Sequence, residues 1–227
     1  MYSSPKYRWR AIFSGCILLL LFDPVCGYAQ LGIGGGFEYG TAAFVNKPVF
    51  VRRPSIGVSG MLSYAPRESK LFPSFTYLFK NIVVPVNNSY YPGQDDYANY
   101  QHFAINLNYR TTQESNYYQL FTGIGIARIR PEKNLNDGQG NAMTLIDTTS
   151  GNLYPMIQVG GKYMHRILSN SSFYLGLEAN LKYIRMHSAN TYYLQQGASS
   201  VKATIGGDVI FPGVQIHLDY FFDGNEE

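Results

Sequence analysis

The feature that most constrains this chain is an alternation of apolar and polar residues with a period of two, repeated segment after segment from Leu31 to Phe222. Such a period places side chains on opposite faces of a strand, whereas a helix would recur every three to four residues. No stretch in that span approaches the roughly 20 apolar residues that a helix needs to cross a bilayer. Eight segments carry the pattern: 31–45, 55–64, 71–84, 102–110, 117–129, 153–167, 173–186 and 204–222. In the first, Leu31, Ile33 and Phe37 oppose Gly32, Gly34, Gly36 and Glu38; in the fourth, Phe103, Ile105, Leu107 and Tyr109 oppose His102, Asn106, Asn108 and Arg110. Each segment has one greasy face and one polar face.

The connections between segments sort into two kinds. Residues 66–70, 111–116 and 168–172 read as short polar turns, while 85–101, 130–152 and 187–203 read as long loops. Strands that run up and down through a membrane put short turns on the periplasmic side and long loops outside. The expected fold is therefore all-β, an antiparallel up-and-down transmembrane β-barrel of about eight strands. Polar sets this large argue for greasy side chains turned to lipid and polar ones turned inward, the inverse of a soluble lipocalin-like carrier, which is the alternative for this pattern. Tyr64, Tyr109, Tyr118, Tyr163, Phe173 and Tyr220 then fall near the periplasmic strand ends as an aromatic girdle. Pro212-Gly213 interrupts the last segment, and a bulge is the expected accommodation.

Residues 1–29 read as a secretory signal: Lys6, Arg8 and Arg10, an apolar run over 11–22, and the small-x-small site Gly27-Tyr28-Ala29. The barrel domain is then 30–227. Cys16, Cys26 and Trp9 all fall within the leader, so the remaining chain has no thiol chemistry and no disulfide. Removing Lys6, Arg8, Arg10 and Asp23 with the leader brings the chain's 18 basic and 15 acidic residues close to parity. Near-neutral charge excludes the electrostatic footprint of a nucleic-acid partner.

A barrel of about eight strands is just wide enough for side chains to fill it. Charged residues on its inner face must therefore find one another, because an unpartnered buried charge is costly. The candidate lumen network is Glu38, Lys80, Lys162, Glu178, Lys182 and Asp219, with Arg110, Arg166 and His217 as further inward groups. A symmetric hairpin around 168–172 sets Lys162 opposite Glu178 and Gln158 opposite Lys182. The four histidines are scattered, without the short spacing of a metal site. The run Gly32-Ile33-Gly34-Gly35-Gly36 is followed by no Lys-Ser/Thr pair and no helix, so it reads as room for strands to curve rather than as a phosphate loop. No cofactor is expected.

The long loops mix tyrosine with small polar residues, a composition suited to binding surfaces. Tyr90, Tyr91, Tyr97, Tyr100, Tyr192 and Tyr193 form the candidate loop surface. His187-Ser188 resembles the histidine-serine motif of outer-membrane lipid A deacylases, which would make the chain a lipid-modifying hydrolase. That family has one residue between the two, whereas adjacent residues of a strand point oppositely.

Taken as a pattern over 30–227, the chain resembles small outer-membrane β-barrel proteins, in particular the PorT-like family. The resemblance rests on Tyr28-Ala29-Gln30, on Gly32-Ile33-Gly34-Gly35-Gly36-Phe37-Glu38-Tyr39-Gly40, on Phe72-Pro73-Ser74-Phe75-Thr76-Tyr77, and on Gln215-Ile216-His217-Leu218-Asp219-Tyr220-Phe221-Phe222. It implies a non-enzymatic scaffold or binding component of the cell outer membrane that assists protein secretion or assembly. Its partners would be outer-membrane lipid and other envelope or secretion proteins.

Overall fold

The computed structural model describes residues 29–45, 54–66, 69–88, 94–112, 116–131, 134–136, 142–148, 153–168, 172–186, 190–196, 199–205 and 207–222. The strands are β1 Ala29–Gly40, β2 Ala43–Phe44, β3 Ser55–Pro66, β4 Leu71–Asn88, β5 Gln94–Arg110, β6 Asn116–Pro131, β7 Asn134–Asn136, β8 Ala142–Thr148, β9 Tyr154–Arg166, β10 Phe173–Ile184, β11 Asn190–Gln196, β12 Ser199–Ile205 and β13 Val209–Phe222. Eight of them, β1, β3, β4, β5, β6, β9, β10 and β13, pair antiparallel in turn, and β13 returns to β1 to close the barrel. Closure leaves no open edge around the wall, the condition for strands in hydrocarbon.

The greasy faces point outward. Phe37, Ile56, Phe103, Leu120, Ile124, Ile157, Leu177 and Ile216 are exposed, while their strand neighbours Glu38, His102, Gln119, Gln158 and His217 are buried inside. That is the inverted arrangement, and the soluble carrier alternative fails on it. The girdle forms as well: Tyr118 lies 5.1 Å from Tyr163 and Phe173 lies 4.7 Å from Tyr220, ring centroid to centroid, on adjacent strands near the short turns.

Three expectations change. Most of the loop expected over 85–101 is strand, because β4 and β5 stay paired from Leu71–Tyr109 out to Val86–Gln94. The reason is local composition: Val83, Val84, Val86 and Tyr97 favour extended backbone. Pro85 lies between Lys80, the last β4 residue paired with β3, and Asn87, the first paired with β12, where it interrupts neither ladder. The loops expected over 130–152 and 187–203 likewise contain β7, β8, β11 and β12, which extend outward from β4 in the order β4-β12-β11-β8-β7. Lastly, Pro212-Gly213 makes no bulge. Register with β10 runs unbroken through Leu181–Pro212 and Asn180–Gly213. Thr41 N donates to the Pro212 carbonyl at 3.3 Å, so the donor that proline lacks would also have faced this side. The interruption accordingly falls on the neighbouring strand, which breaks between Gly40 and Ala43 and resumes in the same register as β2.

Candidate functional site

The lumen is layered along its axis. Toward the outer end Leu78, Ile82, Tyr100, Ile129, Tyr154, Met156, Ile184 and Phe211 form a fully buried apolar cluster, joined by Ala42, between β1 and β2, and by Phe44 of β2. At the periplasmic end Ala65, Phe72, Tyr117, Met164, Tyr174 and Phe221 form a second, smaller cluster. Between them lies a belt of polar and charged side chains. Each is put there by the period of two, since alternate residues of the same strands face lipid.

Glu38 on β1 is the centre of the belt. It accepts Lys80 Nζ at 2.9 Å and Lys182 Nζ on its other oxygen, and all three side chains are at most 3% exposed. Asn180 Nδ2 donates to the same carboxylate at 3.2 Å, and Lys182 Nζ donates to Asn180 Oδ1 at 2.7 Å. Lys80 also lies 5.2 Å from the Phe211 ring centroid and 5.8 Å from that of Tyr100, which couples the charge cluster to the outer apolar plug. Residues 42 and 144 positions apart in sequence thus meet on one carboxylate. No hairpin symmetry could have paired them.

The pairs that hairpin symmetry did predict are in register: Glu178 opposite Lys162 and Lys182 opposite Gln158. Their contacts are weaker than expected. Lys162 Nζ stands 3.9 Å from Glu178 and 3.3 Å from Met61 Sδ, and Gln158 donates to Asn106 Oδ1 rather than pairing with Lys182. The amides continue the belt downward, with Gln119 Nε2 donating to Asn108 Oδ1 at 2.6 Å and Asn108 Nδ2 to Ser74 Oγ at 3.0 Å. Asp219 stands apart from the lysines and takes His217 Nδ1 at 2.9 Å. Gly34 and Gly176 make room for that pair: a Cβ on Gly34 would overlap Asp219 Oδ1, and one on Gly176 would overlap the His217 ring. Arg110 and Arg166 belong to the periplasmic plug instead, with Arg110 donating to the Ser69 carbonyl at 2.9 and 3.1 Å and Arg166 to Tyr174 Oη at 2.7 and 3.1 Å.

A cavity of about 30 Å³ lies within the belt, bordered by Met61, His102, Asn106, Lys162, Glu178 and Asp219 among others. That is room for one or two water molecules and nothing larger. Ser63 Oγ, His217 Nε2 and Asp219 Oδ2 are buried without a hydrogen-bond partner among the described residues. No group of three or more His, Cys, Asp or Glu is placed to hold a metal among the described residues.

The tyrosine surface fares differently. Tyr100 is not on a loop: it is buried on the inner face of β5, stacked 4.7 Å from Phe211, with its hydroxyl 2.9 Å from His102 Nδ1. The period of two, continued beyond the expected strand start, turns it inward. Tyr97 lies in β5 opposite Val83, while Tyr192 and Tyr193 lie in β11 between β8 and β12. Tyr90, Tyr91, His187 and Ser188 lie outside the described residues, as do residues 1–28 of the leader expected over 1–29.

No protein-family model matches the chain, and no curated protein sequence does. Solved structures do. A major outer membrane protein of Thermus thermophilus superposes with a TM-score of 0.58 at 8% identity, over 86% of this chain and 99% of that one. The chain has the fold of a small outer-membrane β-barrel. OprG of Pseudomonas aeruginosa gives a TM-score of 0.53 at 10% identity, over 86% of this chain and 96% of its own. Identities this low carry the barrel fold and leave the role of this particular outer-membrane barrel to its own residues.

Proposed function

We propose that this barrel is a non-enzymatic scaffold of the cell outer membrane, a closed anchor that holds a β-sheet outside the bilayer for other envelope or secretion proteins to bind. The observation that carries this reading is the contrast between a lumen packed at both ends and an outer sheet, β12-β11-β8-β7, that continues from β4 beyond the wall. A solute pore would need a continuous aqueous path, whereas among the described residues the belt encloses a cavity of about 30 Å³. The PorT-like resemblance of the strand segments adds secretion assistance as the specific form of the role.

The test removes residues 190–205, the β11–β12 hairpin, and compares the tagged variant with the intact chain in pull-downs from gently solubilised membranes. The expected result is a discrete envelope partner that co-purifies with the intact chain and not with the variant, while both keep heat-modifiable gel mobility. Identical partners for the two would overturn the role of the sheet. Substantial ion conductance of the intact chain in a planar bilayer would overturn the closed anchor.

A further inference from the structure

On the outer face of β6 the side chains read, from the periplasmic end, Tyr118, Leu120, Thr122, Ile124, Ile126, Arg128 and Arg130. The inward alternates Ala127 and Ile129 are buried, so both arginines face out from the wall. Register carries the change from apolar to polar across three strands: Arg128 lies beside Gln101 and Phe79, and Arg130 beside Asn99 and Asn81. Just below, Ile126, Phe103 and Tyr77 continue the lipid-facing belt. Phe79, Asn99, Gln101, Arg128 and Arg130 together line a recess of about 280 Å³.

The height of this recess follows from strand geometry. Arg128 is ten residues beyond Tyr118 of the girdle. At ~3.4 Å per residue and a tilt of ~40° those residues span ~26 Å along the membrane normal, against an apolar band ~25 Å tall. The two guanidinium groups therefore stand at headgroup level of the leaflet on the long-loop side. Among the described residues neither guanidinium has a hydrogen-bond or ion-pair partner, and the carboxylate on the same alternation of β5, Asp95, lies four residues beyond Asn99. Two fixed cations and two amides beside an aromatic ring suit a phosphate on a sugar or glycerol whose acyl chains run down the apolar wall.

We infer that Arg128 and Arg130 form a binding site for the phosphate of an anionic outer-leaflet lipid, a phosphorylated glycolipid of the lipid A type. The site rests on the outer-membrane orientation proposed above, and it gives that anchor a defined lipid contact on the β4–β6 side of the wall.

The experiment is native mass spectrometry of the refolded mature chain in detergent, titrated with bis-phosphorylated lipid A or with the same lipid after dephosphorylation. Heat-modifiable mobility on the same samples scores the barrel itself, so loss of the fold is told apart from loss of the site. The intact chain should retain the phosphorylated lipid at least about tenfold better than the dephosphorylated one, and R128Q/R130Q should abolish that preference. Lys70→Gln, which removes an exposed cation at the short-turn end, should leave it unchanged. Equal retention of the two lipids by the intact chain would overturn the site even if the double variant fails to fold. So would a preference that survives in R128Q/R130Q, or one that millimolar inorganic phosphate removes, since the latter would mark a site for the free anion.

Discussion

The inner and outer faces of the same strands obey opposite rules. Outside, Ile124 and Phe103 meet an isotropic solvent of acyl chains, and any apolar residue of any shape serves. Inside, Glu38 has two specific ammonium partners and His217 fits only because Gly176 has no side chain. One face specifies a medium and the other specifies neighbours. The outer face should therefore report mainly on polarity and depth, and the inner face on the identity of single atoms.

Glu38→Ala breaks this contrast most sharply. It strands Lys80 and Lys182 in the lumen without their shared carboxylate, and unfolding in urea from lipid vesicles should show a loss of about 3–5 kcal/mol. Next is the outward substitution Ile124→Arg. Ile124 is 70% exposed near the middle of the belt, and a charge at the bilayer midplane costs about 2–4 kcal/mol, whereas Thr122→Ser beside it should leave the same unfolding midpoint in place. If both faces proved equally tolerant, the polarity-against-identity distinction would fall. Gly34→Ala adds a single methyl where Asp219 Oδ1 already lies; about 1–3 kcal/mol should be lost, with the near-ultraviolet circular dichroism of the lumen aromatics altered. The smallest effect is expected for Lys162→Met. Its ion pair is long at 3.9 Å and its ammonium already touches Met61, so stability should change by less than about 1 kcal/mol in either direction.

The two ends of the barrel differ in how far they could be read. At the periplasmic end, short turns fix the register of each hairpin, and Lys162–Glu178 followed directly from the turn between them. At the outer end the hairpins outrun the hydrophobic belt, and polar strands such as Gln94–Asn99 carry none of the greasy alternation that marks a strand in the sequence. Tyr100 was misplaced for that reason: tyrosine beside Asn99 and Gln101 has the composition of a loop, yet its backbone continues β5 and its ring fills the outer plug. The recess around Arg128 and Arg130 was hidden differently, since each strand contributes one or two ordinary polar residues and only the pairing of β4, β5 and β6 sets them side by side.

What the sequence determined by itself is everything set by a period of two: the eight wall strands, the lipid face, the polar lumen and the girdle. Those depend on residues i and i+2 and need no knowledge of which strands become neighbours. The tertiary structure alone decided what depends on closure. Only when β13 returns to β1 does Glu38 gain Lys182 from across 144 residues, and only the stacking of four further strands on β4 turns two apparent loops into a sheet. Long-range pairing of this kind leaves no local mark, because its stabilisation comes from shared burial and not from any preference of the chain between the partners.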